Sequence, residues 1–141
     1  MLAFLVVLIL LFLAIRPFKN EMPFFYRLWV YHPFLVYLGW ISVATIANVT
    51  ALFVGIGWQG EPLSAPSWSI IMILVALLLG IFMVGKLKQA PFGFVLVWAF
   101  FGIYAKQSSE SWAVGMTAGA AACFILSLTL TILFKFKKAV N

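Results

Sequence analysis

Five long apolar stretches dominate the chain, and short polar segments separate them. The stretches cover residues 1–15, 33–57, 68–85, 91–106 and 112–134. A helix of about 20 apolar residues crosses the hydrocarbon core of a bilayer. We therefore predict an all-α protein: a polytopic transmembrane helix bundle with five spans, which forms a single domain over residues 1–141.

Two of these stretches are short for a membrane span. The first begins at Met1, is stopped by Arg16 and Pro17, and would extend only about 22 Å as a helix. The fourth follows Pro91 and reaches full length only if Lys106 extends its side chain toward the headgroups. We expect the first helix to be tilted or to lie in a thin membrane, or the chain to lack part of its natural N-terminus.

The composition supports a location within a bilayer. The chain is 66% hydrophobic and 9% charged, whereas about 25% of the residues in a soluble domain are charged. The net charge of +6 comes from basic residues between the apolar stretches, where a membrane protein meets anionic headgroups. We therefore predict contact with lipid and no binding of nucleic acid.

The distribution of basic residues predicts an orientation. If all five stretches cross, Lys106 lies on one side, and the other side holds Arg16, Lys19, Arg27, Lys86, Lys88, Lys135, Lys137 and Lys138. Basic residues favour the cytoplasmic face, so we predict that the N-terminus is outside and the C-terminus inside. The simplest location is a bacterial inner membrane.

Few residues are suited to catalysis. His32 is the only histidine, and the three acids, Glu21, Glu61 and Glu110, all lie in predicted loops. We find no paired carboxylates, nucleophile triad, phosphate-binding loop or metal-ligand spacing, and we predict no enzymatic activity and no metal site. Aromatic residues at the ends of the stretches, such as Trp29 and Tyr31, are typical of headgroup anchors, whereas Trp40 and Trp98 lie inside stretches.

The second helix carries one face of polar and aromatic residues. Tyr37, Trp40, Ala44 and Asn48 recur at three- and four-residue spacing, which places them on one side of a helix. Asn48 is costly in lipid, so we expect it to bond to another helix or to a ligand. The face is either a helix–helix contact or the wall of a ligand cavity.

The fifth helix carries a stripe of small residues. Gly115, Gly119 and Cys123 recur at four-residue steps, and small residues let two helix backbones approach closely. We predict that this stripe packs against another helix. The partner helix lies within this chain, in a second copy of it, or in another membrane protein.

The second helix resembles the last helix of the TspO/translocator family, the tryptophan-rich sensory proteins. The matching residues are Tyr37, Leu38, Trp40, Ser42, Ala44 and Asn48. The resemblance covers about residues 1–52, since the first stretch is similar to the penultimate helix of the family. Val36 stands where the family has a proline, and the family's first three helices have no counterpart. The chain therefore looks like the C-terminal part of a longer relative or like a rearranged relative.

The resemblance implies a function. Members of this family bind porphyrins and other tetrapyrroles, and some bind sterols, so the resemblance implies a hydrophobic or tetrapyrrole ligand beside Tyr37, Trp40, Ala44 and Asn48. Two alternatives remain open. One is a membrane assembly subunit that packs through the Gly115 and Gly119 face, and the other is one half of a small dimeric transporter. The lack of charge within the spans argues against ion coupling.

Overall fold

The computed structural model describes residues 1–55 and 64–140, and the regular secondary structure of this part is all helical, without a strand. The five long helices are α1 (Leu2–Ile15), α2 (His32–Gly55), α3 (Ala65–Gly80), α4 (Ala90–Gln107) and α5 (Trp112–Val140). The predicted all-α class is confirmed. The part of the second predicted span beyond Gly55 lies outside the described residues.

Shorter helical segments extend three of the five long helices. A 3₁₀ segment, Arg16–Asn20, follows α1, and a π-helical segment, Ile81–Lys86, continues α3. A single α-turn, Phe24–Tyr26, and a π-helical turn, Arg27–Tyr31, lead directly into α2. The first stretch is therefore longer than its apolar residues alone predict.

Four segments are long and apolar enough to cross a membrane: Leu2–Asn20, Phe24–Phe53, Ala65–Lys86 and Trp112–Lys135. Helix α4 is not among these four. The structure thus supports a multi-pass membrane protein with four candidate spans, while the fifth span and the orientation of the termini stay predictions.

Local sequence explains where the helices begin. Proline residues occupy the first turns of the Arg16–Asn20 segment, of α3 and of α4, where the missing N–H costs nothing and the fixed φ suits a helix. The hydroxyl of Ser64 also accepts a hydrogen bond from the backbone N–H of Ser67 at 3.4 Å, which caps α3.

Glycines allow the helices of the bundle to approach closely. A Cβ atom at Gly39 in α2 would lie 3.2 Å from Val95 Cβ in α4, and one at Gly80 in α3 would lie 2.9 Å from Ile125 Cδ1 in α5. A Cβ atom at Gly93 in α4 would collide with Oγ1 of Thr129 in α5. Helix α4 therefore packs between α2 and α5, and α3 also packs against α5.

Different contacts join the helices at the two ends of the bundle. At one end, the Lys19 ammonium group contacts the backbone carbonyl of Lys88, so the α1–α2 and α3–α4 connections meet there. At the other end, the rings of Phe53 and Trp68 are 5.4 Å apart and join the end of α2 to the start of α3.

Candidate functional site

A cavity of about 350 Å³ lies between α2, α3, α4 and α5. Its volume falls within the range of about 300–1,000 Å³ that is usual for small-molecule sites. The lining is mostly aliphatic and consists of Val43, Ile46, Ala47, Thr50, Ser69, Met72, Ile73, Ala76, Ala99, Phe100, Ile103, Gln107 and Val114. Such a lining favours an apolar molecule.

The polar groups of this cavity come from residues near the ends of their helices. The hydroxyl groups of Thr50 and Ser69 donate to carbonyl oxygens of their own helices, those of Ile46 and Ala65, at 3.4 and 3.1 Å. The Gln107 side chain, in the last turn of α4, makes no hydrogen bond to any described residue. Its amide is the third polar group of the lining.

No charged side chain lines the described part of the cavity. A carboxylate placed there would lose its hydration without gaining a cation, and this costs several kcal/mol. The lining therefore fits a neutral ligand with one or two hydrogen-bonding groups. It does not fit the carboxylate groups of a typical porphyrin.

The predicted ligand face of α2 lies away from this cavity. Tyr37 and Trp40 are 47% and 46% exposed, and they line a shallow open groove with Leu28, His32, Pro33 and Val36. Ala44 is half-buried and lines neither the cavity nor the groove. The assignment of Tyr37, Trp40, Ala44 and Asn48 to a ligand site stays a prediction, and the structure associates only the first two with a concave surface.

Asn48 forms no hydrogen bond to another helix among the described residues, and the alternative partner, a ligand, stays a prediction. Its side-chain amide donates to the carbonyl oxygen of Ala44 at 2.9 Å, within α2, and the residue is exposed. Ser42 and Thr45 bond in the same way to Leu38 and Ile41. A four-residue spacing places each of these side chains over a carbonyl of its own helix, so the polar group is satisfied locally.

Two tryptophans from the apolar stretches meet on the surface of the bundle. The rings of Trp40 in α2 and Trp98 in α4 are 5.0 Å apart between centroids, with an angle of 46° between their planes. Tyr37 in turn contacts Phe4 of α1 edge-on, at 5.9 Å. The aromatic residues of the α2 face therefore hold neighbouring helices together.

The glycine stripe of α5 packs within this chain. A Cβ atom at Gly115 would lie 2.9 Å from Ser108 Cα, and one at Gly119 would lie 3.1 Å from the Tyr104 ring. Gly115 and Gly119 thus pack against the end of α4 and the turn after it, within this chain, while packing of the stripe against a second copy or another membrane protein stays a prediction.

Cys123, the third residue of the predicted stripe, lies on a more exposed side of α5 than Gly115. It is an exposed free thiol, whereas Ala118, Ala122 and Ile125 are buried. Four residues advance a helix by more than one full turn, since a turn takes 3.6 residues. A strict four-residue stripe therefore rotates away from a straight partner helix after two steps.

A buried polar cluster, which the sequence pattern did not predict, lies near the start of α4. Gln89 is 1% exposed, and its Oε1 atom accepts hydrogen bonds from the Tyr31 hydroxyl at 3.1 Å and the Lys19 ammonium group at 3.4 Å. Tyr31, expected to be a headgroup anchor, is 1% exposed. The register of the π-helical turn that contains Tyr31 is not visible in the pattern of apolar residues.

The fold and the cavity define a class: a multi-pass helical membrane protein with a mostly apolar cavity inside its bundle. The family follows from a comparison of sequences. A model of the TSPO-like protein family matches residues 1–132, so the chain belongs to that family. The match extends well beyond residues 1–52, where the resemblance was noted. No curated protein and no solved structure matches the chain.

Proposed function

We propose that this TSPO-like membrane protein binds a small, neutral, hydrophobic ligand in the cavity between α2, α3, α4 and α5. The observation that carries the proposal is the cavity of about 350 Å³, whose lining is apolar apart from Thr50, Ser69 and Gln107. Aliphatic walls supply apolar contact, and the Gln107 amide supplies the hydrogen bond that orients the ligand.

A tetrapyrrole is the second candidate ligand, and the groove rather than the cavity suits it. The groove combines the exposed rings of Tyr37 and Trp40 with His32, and flat ligands stack on such rings. The groove is open, so the carboxylates of a porphyrin stay hydrated. This candidate rests on the resemblance of the α2 motif and on the position of the two aromatic rings.

Photolabelling separates the two sites. The chain is reconstituted in lipid nanodiscs with a neutral alkyl diazirine probe, and the labelled residues are mapped by mass spectrometry. We expect labels on Met72, Ile73 and Phe100, and we expect Ala76→Phe to abolish them because the new ring fills the cavity. Labels that persist in a folded Ala76→Phe protein contradict cavity binding.

A matched variant outside the cavity completes this test. Trp40→Ala opens the groove and leaves the cavity lining intact, so we expect labelling of the cavity by the neutral probe to be unchanged. Porphyrin affinity is measured by titration, followed by quenching of tryptophan fluorescence. We expect this affinity to fall in Trp40→Ala and to be unchanged in Ala76→Phe. The opposite pattern would place the tetrapyrrole in the cavity.

The orientation is part of the proposal and is tested separately. We infer that the basic end of the bundle faces the cytoplasm, because cytoplasmic loops carry an excess of Lys and Arg. Fusion of alkaline phosphatase after Gln107 or after Lys88 distinguishes the two ends. If only the fusion after Lys88 is active, the orientation is the reverse of the one proposed. A bacterial inner membrane is the simplest setting for the assay.

A further inference from the structure

Two connections of the bundle meet at one end, where a hydrogen-bonded cluster fixes them. The Lys19 ammonium group donates to the carbonyl oxygen of Lys88 and to Oε1 of Gln89, at 3.4 Å each. The ammonium group also lies 5.8 Å from the centre of the Tyr31 ring, within the range of a cation–π interaction. The amide nitrogen of Gln89 donates to the Leu87 carbonyl at 2.7 Å, which fixes the amide in this orientation.

The cations at this end repel one another. Arg16 and Lys19 belong to the segment Arg16–Asn20, and Arg27 begins the turn that leads into α2. Lys86 and Lys88 are exposed on the connection that Lys19 touches. We call Arg16, Lys19, Arg27, Lys86 and Lys88 the basic corner.

Within the described residues, no carboxylate forms an ion pair with the basic corner; Glu21, the acid of the same connection, is exposed and is not paired with any of these cations. The ion pair that the described residues form joins Lys106 to Glu110 at 2.8 Å, at the opposite end of the bundle. Like charges that lie close together repel one another. An anion from outside the chain would therefore stabilise the basic corner.

Exposed aromatic rings place the basic corner at the level of lipid headgroups. Phe18, Phe24, Phe25 and Trp29 are 57%, 71%, 67% and 64% exposed. They belong to the same α1–α2 connection as Lys19 and Arg27. Tryptophan and tyrosine side chains concentrate where the hydrocarbon core meets the headgroups, and this connection exposes Trp29 together with Tyr26, which is 60% exposed.

We propose that the basic corner binds the headgroup of an anionic phospholipid. The phosphate oxygens accept hydrogen bonds from the guanidinium groups of Arg16 and Arg27 and from the ammonium groups of the lysines, and the exposed rings contact the upper part of the acyl chains. Gln89 and Tyr31 position Lys19 for this contact. The site is independent of the proposed ligand cavity.

The test compares lipid selectivity between variants. The chain is reconstituted with equal amounts of phosphatidylglycerol and phosphatidylcholine, and the retained lipids are counted by native mass spectrometry. We expect phosphatidylglycerol to be enriched among the retained lipids. The double variant Arg16→Gln/Arg27→Gln is expected to lower this enrichment by about fivefold for each charge removed. Neither arginine takes part in the hydrogen bonds around Gln89, so this variant is expected to fold.

Two controls make the result specific. Lys106→Gln removes one charge at the opposite end and is expected to leave the enrichment unchanged, whereas Lys19→Arg keeps the charge and is expected to preserve it. Equal enrichment in the wild type and the double arginine variant would overturn the proposal. So would a loss of enrichment in Lys106→Gln as large as in the arginine variant.

A free anion is distinguished from a lipid by adding inorganic phosphate. We expect millimolar phosphate to leave the Tm of the chain in phosphatidylcholine unchanged and phosphatidylglycerol to raise it. A rise in Tm with phosphate alone, as large as that with phosphatidylglycerol, would overturn the assignment to a lipid headgroup.

Discussion

Helices α1 and α4 are both apolar, and they occupy opposite positions in the molecule. Helix α1 belongs to the segment Leu2–Asn20, which has a mean hydropathy of 2.3, yet only 11% of that segment's residues are buried. Helix α4 is not among the four candidate spans, yet Ala90, Phe92, Gly93, Val95, Leu96 and Phe100 are buried in it. Hydropathy thus indicates which segments are apolar enough to cross a membrane. It does not indicate which helix forms the centre of the bundle.

The physical reason is that lipid competes with protein for apolar surface. In water, burial of Leu10 or Leu13 would be strongly favourable, but in a bilayer both can remain exposed to acyl chains. Helices in lipid associate through close packing, which requires small residues where the backbones approach. Helix α4 has Gly93 at such a point, and α1 contains no glycine.

The largest expected effect is that of a methyl group added at the α4–α5 contact. In Gly93→Ala, the new Cβ collides with Thr129 and approaches Val84 Cγ2 to 2.8 Å. Both neighbours are β-branched and buried, so we expect a loss of about 1–3 kcal/mol in the free energy of unfolding. Unfolding in mixed detergent micelles, followed by circular dichroism, measures it.

Gly102→Ala is the matched control in the same helix. No atom lies within 4 Å of the position of its Cβ, so we expect no loss and a gain of at most about 1 kcal/mol from helix propensity. Equal destabilisation by the two substitutions would show that close approach at Gly93 does not hold α4 in place.

The next effect concerns the contact of α1 with α2. Phe12 is 3% exposed, but lipid can enter part of the space it leaves. We therefore expect Phe12→Ala to cost about 1–2 kcal/mol, less than the 3–5 kcal/mol typical of a core in water. Leu13→Ala, at a residue that is 53% exposed, is expected to change the stability little. A loss in Phe12→Ala larger than that in Gly93→Ala would reverse the comparison.

A smaller effect is expected from the tryptophan pair that joins α4 to α2. A double-mutant cycle with Trp40→Leu and Trp98→Leu isolates the contact at 5.0 Å, and we expect a coupling of about 0.5–1.5 kcal/mol. Trp112→Leu, at a residue that is 74% exposed, supplies the background cost of removing an indole ring. Additive losses would mean that the two rings touch without stabilising the interface.

The smallest effect is expected at the ion pair that follows α4. Lys106 and Glu110 lie 2.8 Å apart, with side chains that are 74% and 54% exposed. Solvent screens such pairs, and their formation costs side-chain entropy. We expect Lys106→Gln to leave the Tm unchanged within error, and a clear fall in Tm would show that the turn after α4 contributes to the stability of the α4–α5 pair.

Much of the helix layout was predictable, because apolar runs and prolines mark it directly. Pro91 lies in the first turn of α4, as predicted, and the apolar run at residues 68–85 falls within Ala65–Lys86. The α2 motif also identified the TspO relationship, which the match over residues 1–132 confirms. The cavity was not predictable, because Val43, Ala76 and Ala99 are ordinary apolar residues whose spacing carries no distinctive signal.

Two predictions on helix faces show why packing is hard to derive from this sequence. A helix that is apolar all round offers no polar side to mark what faces outward. The polar face of α2 therefore suggested either a helix–helix contact or a cavity wall; in the structure Trp40 pairs with Trp98 of α4, and Asn48 bonds to its own helix. In the stripe of α5, Gly115 and Gly119 pack against the end of α4 and the turn after it, whereas Cys123 is exposed, because a four-residue spacing exceeds one helical turn.

The sequence by itself determined that this protein is an all-helical, TspO-related membrane protein with most of its basic residues between apolar runs. These properties follow from hydropathy, charge and local motifs, each of which is carried by neighbouring residues. Only the tertiary structure decided that α4 packs between α2 and α5, that Gln89 joins Lys19 to Tyr31, and that the cavity lies away from the α2 motif. These features depend on the fit between distant side chains, and in lipid that fit, rather than hydropathy, selects the partner of each helix.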